Sequence, residues 1–243
     1  MKLSIIVPGI RNQNWIKLYE SVNVHDLWEI IFVGPYAPPI KLSEQNNVKY
    51  IHSFRSPCTC QQIGLHFSTG DYITWAADDG VFLPGALQYS IDMAKERTVV
   101  VGKYLEGETP ENMESEDYYR FKYHKAYRLK GVPQECLIFN CGVISKKFLM
   151  ELGGWDCIFE ATTCSHADLG IRAYKAGAEM ILQDKVMFKC SHQPGKTGDH
   201  KPIHEAMKRD LKRLKQIYSK PRQPVNLDNW KQTPVRWVER FGK

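Results

Sequence analysis

Short runs of consecutive apolar residues alternate in the first half of the chain with segments of helical spacing. Three runs, residues 3–7, 28–33 and 71–76, are almost entirely apolar and are followed by proline, glycine or aspartate. Such runs are typical of strands that are buried in a sheet. In the segments beside them, apolar residues recur three and four positions apart, which predicts helices. These predicted helices are residues 15–22, 60–68 and 84–94.

The second half of the chain continues the alternation of strands and helices. Further strands are predicted at residues 48–54, 98–105, 136–145 and 179–192. Further helices are predicted at residues 146–156, 165–177 and 205–218. An acidic stretch with few large apolar groups, residues 106–117, predicts a loop. The order of strands and helices indicates an α/β sheet with helices packed against it.

Composition limits the number of domains and the class of protein. The chain has 243 residues, of which 43% are hydrophobic, enough for one main domain with an appendage. It contains no apolar run of about 18 residues, and its first residues do not resemble a secretory signal, so we expect a cytoplasmic protein. Seven irregularly spaced cysteines argue against a disulfide framework, and Cys58 and Cys60 lack the second pair that a structural zinc site needs.

The positive charge is concentrated at the C-terminal end. The net charge is +6, but residues 201–243 contain 12 Lys and Arg against 4 Asp and Glu, so the rest of the chain is slightly acidic. Residues 205–218 predict a basic amphipathic helix, which either docks on the body or lies on an anionic membrane surface. The second alternative would place the protein at the inner face of a membrane. No nucleic-acid-binding motif accompanies the charge, and we expect no nucleic-acid partner.

Two adjacent carboxylates, Asp78 and Asp79, follow the predicted strand 71–76. Ligands of open α/β sheets bind outside the carboxyl ends of the strands. Two like charges repel one another unless a cation lies beside them, and a hard divalent ion that also binds phosphate oxygens meets that need. The alternative is an ordinary turn in which an aspartate caps the helix that follows Pro84.

Several motifs in sequence order resemble those of family 2 glycosyltransferases with the GT-A fold. They are an opening strand that ends at Pro8, the "WEIIFVGP" strand, "GDYITWAADDG", "ELGGWD" and "ADLGIRAYKAG". The resemblance covers about residues 1–200 and implies a Rossmann-like mixed sheet flanked by helices, in one main domain with a helical C-terminal tail. We expect a nucleotide-sugar-binding half at residues 1–105, an acceptor-binding and catalytic half at residues 106–200, and a basic helical tail at residues 201–243.

The resemblance implies a sugar transfer from a nucleoside-diphosphate donor to an acceptor hydroxyl, with inversion of the anomeric centre. It implies a UDP-sugar as the commonest donor, Mn²⁺ or Mg²⁺ as cofactor, and a glycan, lipid-linked or small-molecule acceptor. Asp79 matches the last aspartate of the family's metal motif and would hold the ion, completed by His192. Asp78 would face the donor sugar or ribose, whereas the first aspartate of the motif falls on Ala77.

The resemblance also implies the donor contacts. Pro8 and Arg11 lie in the loop that would pass under the base and ribose. Two glutamines, Gln61 and Gln62, replace the family's Arg-Asn pair, and Arg55 would supply the missing charge. Lys196 and His200 lie in a segment with the composition of a loop that closes over a diphosphate. Each of these residues could also be an ordinary surface group or part of a linker.

Two residues compete for the role of the base that accepts the acceptor's proton. The family's acidic pair falls in register on Ser165 and His166, and Asp168 lies two residues further on. The sequence argument prefers Asp168 to His166. A structural alternative stays open, in which Ser165 and Asp168 form a capping box and Asp168 pairs with Arg172.

Three rival functions follow from the same residues. Ala77 and Ser165 depart from the family pattern, which would suit a degenerate relative that binds a sugar nucleotide or glycan without turnover. A nucleotidyltransferase on a similar sheet would release pyrophosphate. A non-enzymatic module would act through the basic tail.

Overall fold

One mixed sheet of eight strands carries helices on both of its faces. The computed structural model describes residues 2–23, 28–107, 129, 132, 136–137, 140–191, 201–232 and 237. The strands are β1 (Leu3–Pro8), β2 (Trp28–Gly34), β3 (Val48–His52), β4 (Tyr72–Trp75), β5 (Gly80–Phe82), β6 (Thr98–Gly107), β7 (Gly142–Ser145) and β8 (Glu179–Ser191). The helices are α1 (Trp15–Ser21), α2 (Ile40–Ser43), α3 (Pro57–Phe67), α4 (Ala86–Met93), α5 (Lys146–Glu151), α6 (Thr162–Lys175), α7 (Lys201–Ile217) and α8 (Asn229–Gln232).

The sheet has a parallel half and a mixed half. Its strand order is β3-β2-β1-β4-β7-β6-β8-β5. Strands β1 to β4 are mutually parallel, whereas β7 runs antiparallel to both β4 and β6. The chain leaves β1 toward β2 and β3 on one side and returns with β4 on the other, so the strand order reverses between β1 and β4. Such a reversal opens a crevice at the carboxyl ends of the strands.

The buried strands serve two hydrophobic cores, one on each face of the sheet. In β1, Ile5 belongs to the core that contains Trp15 and Leu87, and its neighbour Ile6 belongs to the core that contains Phe148. Helices α1 and α4 cover the first core, and α3, α5, α6 and α7 cover the second. Because successive side chains of a strand point to opposite faces, only a continuous apolar run can supply both cores. This explains why these strands do not alternate in polarity.

Several predicted boundaries differ from the observed ones. Helix α3 begins at Pro57, three residues earlier than predicted, because the Ser56 hydroxyl accepts a hydrogen bond from the backbone N–H of Thr59 and caps the helix. Helix α6 begins at Thr162, so Ser165 lies inside the helix and the predicted capping box is wrong. Strand β5, only three residues long, follows Asp79 directly and was not predicted. Most of the predicted acidic loop, from residue 108 onward, lies outside the described residues.

The basic helix α7 docks on the body. Its Leu214 is fully buried, and Met207, Leu211 and Tyr218 pack against the same core. The Asp210 carboxylate, also fully buried, accepts hydrogen bonds from the backbone N–H groups of Glu160 and Ala161 at 2.8 and 2.7 Å. These two residues immediately precede α6, so α7 holds the start of α6 in place.

Charged and aromatic groups of the tail also contact the body. Arg209 and Arg213 each form an ion pair with Glu160 at 2.9 Å, and the Trp237 indole N–H donates to the same carboxylate. The apolar stripe of α7 is therefore used within the fold, and membrane contact stays a prediction that would rely on exposed cations such as Lys208 and Lys212. Within the described segments, no helix combines the length and the apolar character needed to cross a bilayer.

Candidate functional site

The point where the strand order reverses carries the paired aspartates and one arginine. Asp78 and Asp79 follow β4, and Arg11 follows β1, the neighbouring strand. Both loops lie at the carboxyl ends of parallel strands. The sequence prediction that the acidic pair lies at the ligand-binding edge of the sheet therefore agrees with the position of these residues in the fold.

Asp78 fixes the loop after β1. Its side chain is almost fully buried, and its Oδ2 accepts hydrogen bonds from the backbone N–H groups of Ile10 and Arg11 at 2.5 and 2.6 Å. Its Oδ1 accepts from Arg11 Nη1 at 2.5 Å. Both oxygen atoms are thus engaged within the protein. The predicted contact between Asp78 and a ribose or donor sugar loses its support, because a carboxylate in this position shapes the loop instead.

Asp79 lies farther from Arg11 than Asp78 does. Its Oδ2 lies 3.5 Å from Arg11 Nη1, a looser contact than the one made by Asp78, and its Oδ1 accepts from the Cys190 thiol at 2.9 Å. One guanidinium between two carboxylates relieves their mutual repulsion but leaves a net charge of −1 among these three side chains. The adjacent aspartates are therefore tolerated because Arg11 lies between them.

A cleft lies above the carboxyl ends of β1, β2 and β3, next to the loop that Asp78 holds. The cleft is shallow: about 10 Å³ of it would hold a water-sized sphere, and the wider recess of about 190 Å³ is open to solvent. Pro8 and Arg55, both predicted as donor-binding residues, line it together with Ile10 of the loop that Asp78 fixes. The structure thus brings three of the predicted residues, Pro8, Arg55 and Arg11, to one edge of the sheet.

Asp168 lies apart from this edge, in a buried network of ion pairs. Its side chain is fully buried, and Arg172 Nε donates to Oδ2 at 2.7 Å, as the spacing along the helix predicted. Arg222 Nε and the Tyr218 hydroxyl both donate to Oδ1, at 2.9 and 2.8 Å. Burial raises the pKa of Asp168, but the two guanidinium groups outweigh it, so the pKa lies below its ordinary value.

This geometry corrects the sequence argument for a base. A general base must reach the proton that it accepts. The described structure buries Asp168 completely and engages both of its oxygen atoms, so the preference for Asp168 over His166 is reversed. Asp168 joins α6 to residues 218–222 of the C-terminal segment. This is a structural role, as in the alternative in which Asp168 pairs with Arg172.

His166 is also buried, but one of its ring nitrogens is not engaged. Its Nε2 lies 3.0 and 3.2 Å from the two amide atoms of Gln61, and its ring packs beside Trp75 with centroids 5.5 Å apart. Its Nδ1 is buried and has no hydrogen-bond partner among the described residues. Burial lowers the pKa of His166 to about 3, so the imidazole is neutral near pH 7.

Comparisons with solved structures place these features in a known architecture. Residues 1–349 of S. aureus TarS superpose with a TM-score of 0.57 and 14% identity, covering 99% of this chain and 71% of that one. The complex of the same TarS segment with UDP gives a TM-score of 0.60 at 14% identity, over 99% and 71% of the two chains. TarS has the GT-A fold.

This chain has the GT-A fold. No protein-family model and no curated protein matches the sequence. The chain spans 43% of the longer S. aureus TarS structure, to which it is 13% identical with a TM-score of 0.59 over 99% of this chain. The GT-A architecture inferred from the sequence motifs is thereby confirmed.

At the sheet edge, the described residues could bind a divalent ion only through one or two carboxylates together with phosphate oxygens of a substrate. Within the described segments, no three or more His, Cys, Asp and Glu side chains form a group able to hold a metal. Mg²⁺ in phosphate-binding sites commonly takes one or two carboxylates and completes its shell with substrate phosphates and water. Asp79, a carboxylate at the carboxyl end of β4, is of the residue type that serves in that mode. The predicted second ligand, His192, lies outside the described residues, as do Lys196 and His200.

Sequence reasoning missed the residues that join distant parts of the GT-A domain. Arg222 binds Asp168 and also Asp156, which precedes α6. Nothing in the local pattern around Arg222 distinguishes it from a surface arginine, because its partners lie 54 and 66 residues away. In the sequence, Gln61 is distinguished only as a departure from the family's Arg-Asn pair. Its contact with His166 spans 105 residues and has no local signal.

Acid should destabilise the protein through His166. Because the pKa is about 3 in the folded state and near 6.5 in the unfolded state, only the unfolded state gains a proton between these values. Stability is therefore lost as the pH falls below about 6.5. The variant His166→Gln has no group that titrates here. We therefore expect the difference in free energy of unfolding, variant minus wild type, to be about 2 kcal/mol larger at pH 5 than at pH 7.5. Urea unfolding of both proteins at the two pH values measures this difference, and an equal difference at both would contradict it.

Proposed function

We propose that this protein transfers a sugar from a nucleoside-diphosphate donor to an acceptor hydroxyl. The observation that supports the proposal is the cleft above the carboxyl ends of β1, β2 and β3 in a GT-A sheet, beside the loop that Asp78 holds. S. aureus TarS, which shares this fold, has been crystallised with UDP and with UDP-GlcNAc. The donor would lie across the ends of β1 to β4, with its base in the cleft and its diphosphate toward Asp79.

Two side chains of the edge have distinct tasks in this proposal. Asp78 holds the backbone of Ile10 and Arg11, so the loop beneath the donor is already in place before binding. This preorganisation lowers the entropic cost of binding. Asp79 would hold Mn²⁺ or Mg²⁺, which when bound neutralises charge on the departing nucleoside diphosphate.

His166 is the better candidate for the base. It occupies the register position of the family's acidic pair, and its Nδ1 carries no competing hydrogen bond among the described residues. In the tautomer with the proton on Nε2, Gln61 accepts that proton's hydrogen bond and Nδ1 keeps a lone pair. Because Nδ1 is buried, this role requires a local opening that admits the acceptor, and Nδ1 would then take the proton of the acceptor hydroxyl as its oxygen attacks the anomeric carbon. A direct attack of this kind inverts the anomeric configuration.

A panel of nucleotide sugars tests the function. The full chain with Mn²⁺ is incubated with UDP-, CDP- and GDP-sugars and with glycan, lipid-linked and small-molecule acceptors. We expect release of a nucleoside diphosphate, a new glycoside whose anomeric configuration NMR shows to be inverted, and no pyrophosphate. Release of pyrophosphate would instead indicate a nucleotidyltransferase. His166→Ala should lower the rate by about 10²- to 10⁴-fold without weakening donor binding.

One specific observation favours a second candidate function. Both residues considered for the base, His166 and Asp168, are buried, with 4% and 0% of their surface exposed. A protein with this geometry could bind a sugar nucleotide without transferring the sugar. That function predicts saturable binding of a nucleotide sugar in calorimetry, together with no release of nucleoside diphosphate from any donor in the panel.

A further inference from the structure

The cleft above β1, β2 and β3 contains one charged side chain among the described residues that line it, Arg55. The lining residues are Pro8, Gly9, Ile10, Val33, Gly34, Pro35, Ser53, Arg55, Pro57 and Cys60. Arg55 Nη1 donates to the backbone carbonyl of Trp230 at 3.3 Å, which orients the guanidinium from the C-terminal segment. None of the described carboxylates forms an ion pair with it. The partly exposed guanidinium therefore lines the cleft with N–H donors that are not engaged by a described carboxylate.

The end of β2 cannot supply an acidic side chain to this cleft. A Cβ atom on Gly34 would lie 1.8 Å from the backbone oxygen of Gly9, so no side chain fits there. The next residue, Pro35, has no polar side chain. The carbonyl oxygens of Val33 and Gly34 already accept hydrogen bonds from the backbone N–H groups of Gly9 and Ser53. Among the described side chains that line the cleft, Arg55 is thus a strong hydrogen-bond donor with no carboxylate beside it.

Nucleobases differ in how well they match such a set of donors. A guanidinium presents two N–H groups side by side and pairs best with two adjacent acceptor atoms, such as O6 and N7 of guanine. Cytosine likewise carries adjacent acceptors, N3 and O2. Uracil places an N–H between its two carbonyl groups, and that N–H calls for an acceptor.

We propose that Arg55 reads the nucleobase of the donor and that this cleft selects a base with two adjacent acceptor atoms, cytosine or guanine, over uracil. The inference rests on the proposed function, and it departs from the uridine donor that the sequence resemblance implied. Ser53, whose hydroxyl accepts the backbone N–H of Arg55 at 3.2 Å, holds the residue at the mouth of the cleft.

Isothermal titration of the full chain with CDP, GDP, UDP, ADP and inorganic pyrophosphate, each with Mn²⁺, tests the proposal. We expect CDP or GDP to bind at least about tenfold more tightly than UDP, the discrimination typical of one paired contact. Arg55→Gln should weaken the preferred nucleotide about tenfold and leave UDP and pyrophosphate within about twofold. The matched control is Arg97→Gln, an exposed arginine paired with Glu151, which should change none of these affinities.

Each other outcome has a definite meaning. Tightest binding of UDP would overturn the base preference and leave the proposed function standing. Equal weakening of all five ligands by Arg55→Gln would place the guanidinium on the phosphates and overturn its role as base reader. If no nucleoside diphosphate binds, the proposed function fails as well. If Arg55→Gln does not fold, Arg55→Lys takes its place, because lysine keeps the charge but lacks the paired N–H donors. We expect Arg55→Lys to lose the preference for cytosine or guanine and to keep its affinity for pyrophosphate.

Discussion

Replacing Asp168 by asparagine is expected to lower the free energy of unfolding by about 3 to 5 kcal/mol. The carboxylate is fully buried and lies between Arg172 and Arg222, so its neutralisation leaves two guanidinium groups without their counter-charge. Removing one partner of a buried ion network is more costly than losing an exposed ion pair, because the remaining charges stay desolvated. Urea unfolding monitored by tryptophan fluorescence at pH 7 measures the change.

The matched control for this experiment is Asp92→Asn. Asp92 lies on α4 and accepts a hydrogen bond from the exposed Gln88, so we expect almost no change in stability. A loss below about 1 kcal/mol for Asp168→Asn would contradict the structural role that we assign to this residue. Since the pKa of Asp168 is depressed in the folded state, its stabilisation is present above the ordinary pKa of an aspartate and is lost as the pH falls through the lower folded value.

Replacing Asp79 by asparagine is expected to reduce sugar transfer by at least about a hundredfold. The substitution keeps the size of the side chain, but it removes the negative charge that would hold a divalent ion against the donor diphosphate. Donor binding by the variant should no longer respond to Mn²⁺, whereas the wild type should bind more tightly when Mn²⁺ is added. The measurements are nucleoside diphosphate release from the donor panel and calorimetry with and without the ion.

Asp92→Asn again provides the comparison, since it changes the same group on an exposed helix away from the strand ends. It should leave both the rate and the response to Mn²⁺ unchanged. If Asp79→Asn transferred sugar at the wild-type rate, or if the wild type were indifferent to chelation of divalent ions, Asp79 would not hold a metal. Thermal unfolding of both variants shows whether a lost rate reflects a lost fold.

The strands of the parallel half could be predicted because their signal is local. Residues 3–7 and 28–33 are apolar at nearly every position, and each apolar residue among them is buried in one of the two main cores or in a smaller cluster that contains Ile31 and Val33. The position of the acidic pair was also predictable, since the end of β4 follows from the apolar run before it. A rule about where ligands bind in open sheets then gives the site from the sequence alone.

Other features depend on contacts that no local pattern contains. The start of α6 was placed too late because Ser165 looks like a cap, whereas the N–H groups just before Thr162 are bound by Asp210, about 50 residues away. Strand β5 is only three residues long, and its pairing with β8 rather than its composition creates it. The role of Asp168 likewise depends on Arg222, whose partners are visible only in three dimensions.

The carboxylate of Asp210 also has a consequence for the order of events during synthesis. The polypeptide emerges from the ribosome N-terminal end first, so Glu160 and Ala161 are exposed some fifty residues before the group that binds their backbone N–H atoms. Helix α6, which carries His166 and Asp168, can therefore reach its final stability only after residue 210 has been translated. A nascent chain halted before that residue should be more open to proteases at residues 158–162 than the completed protein.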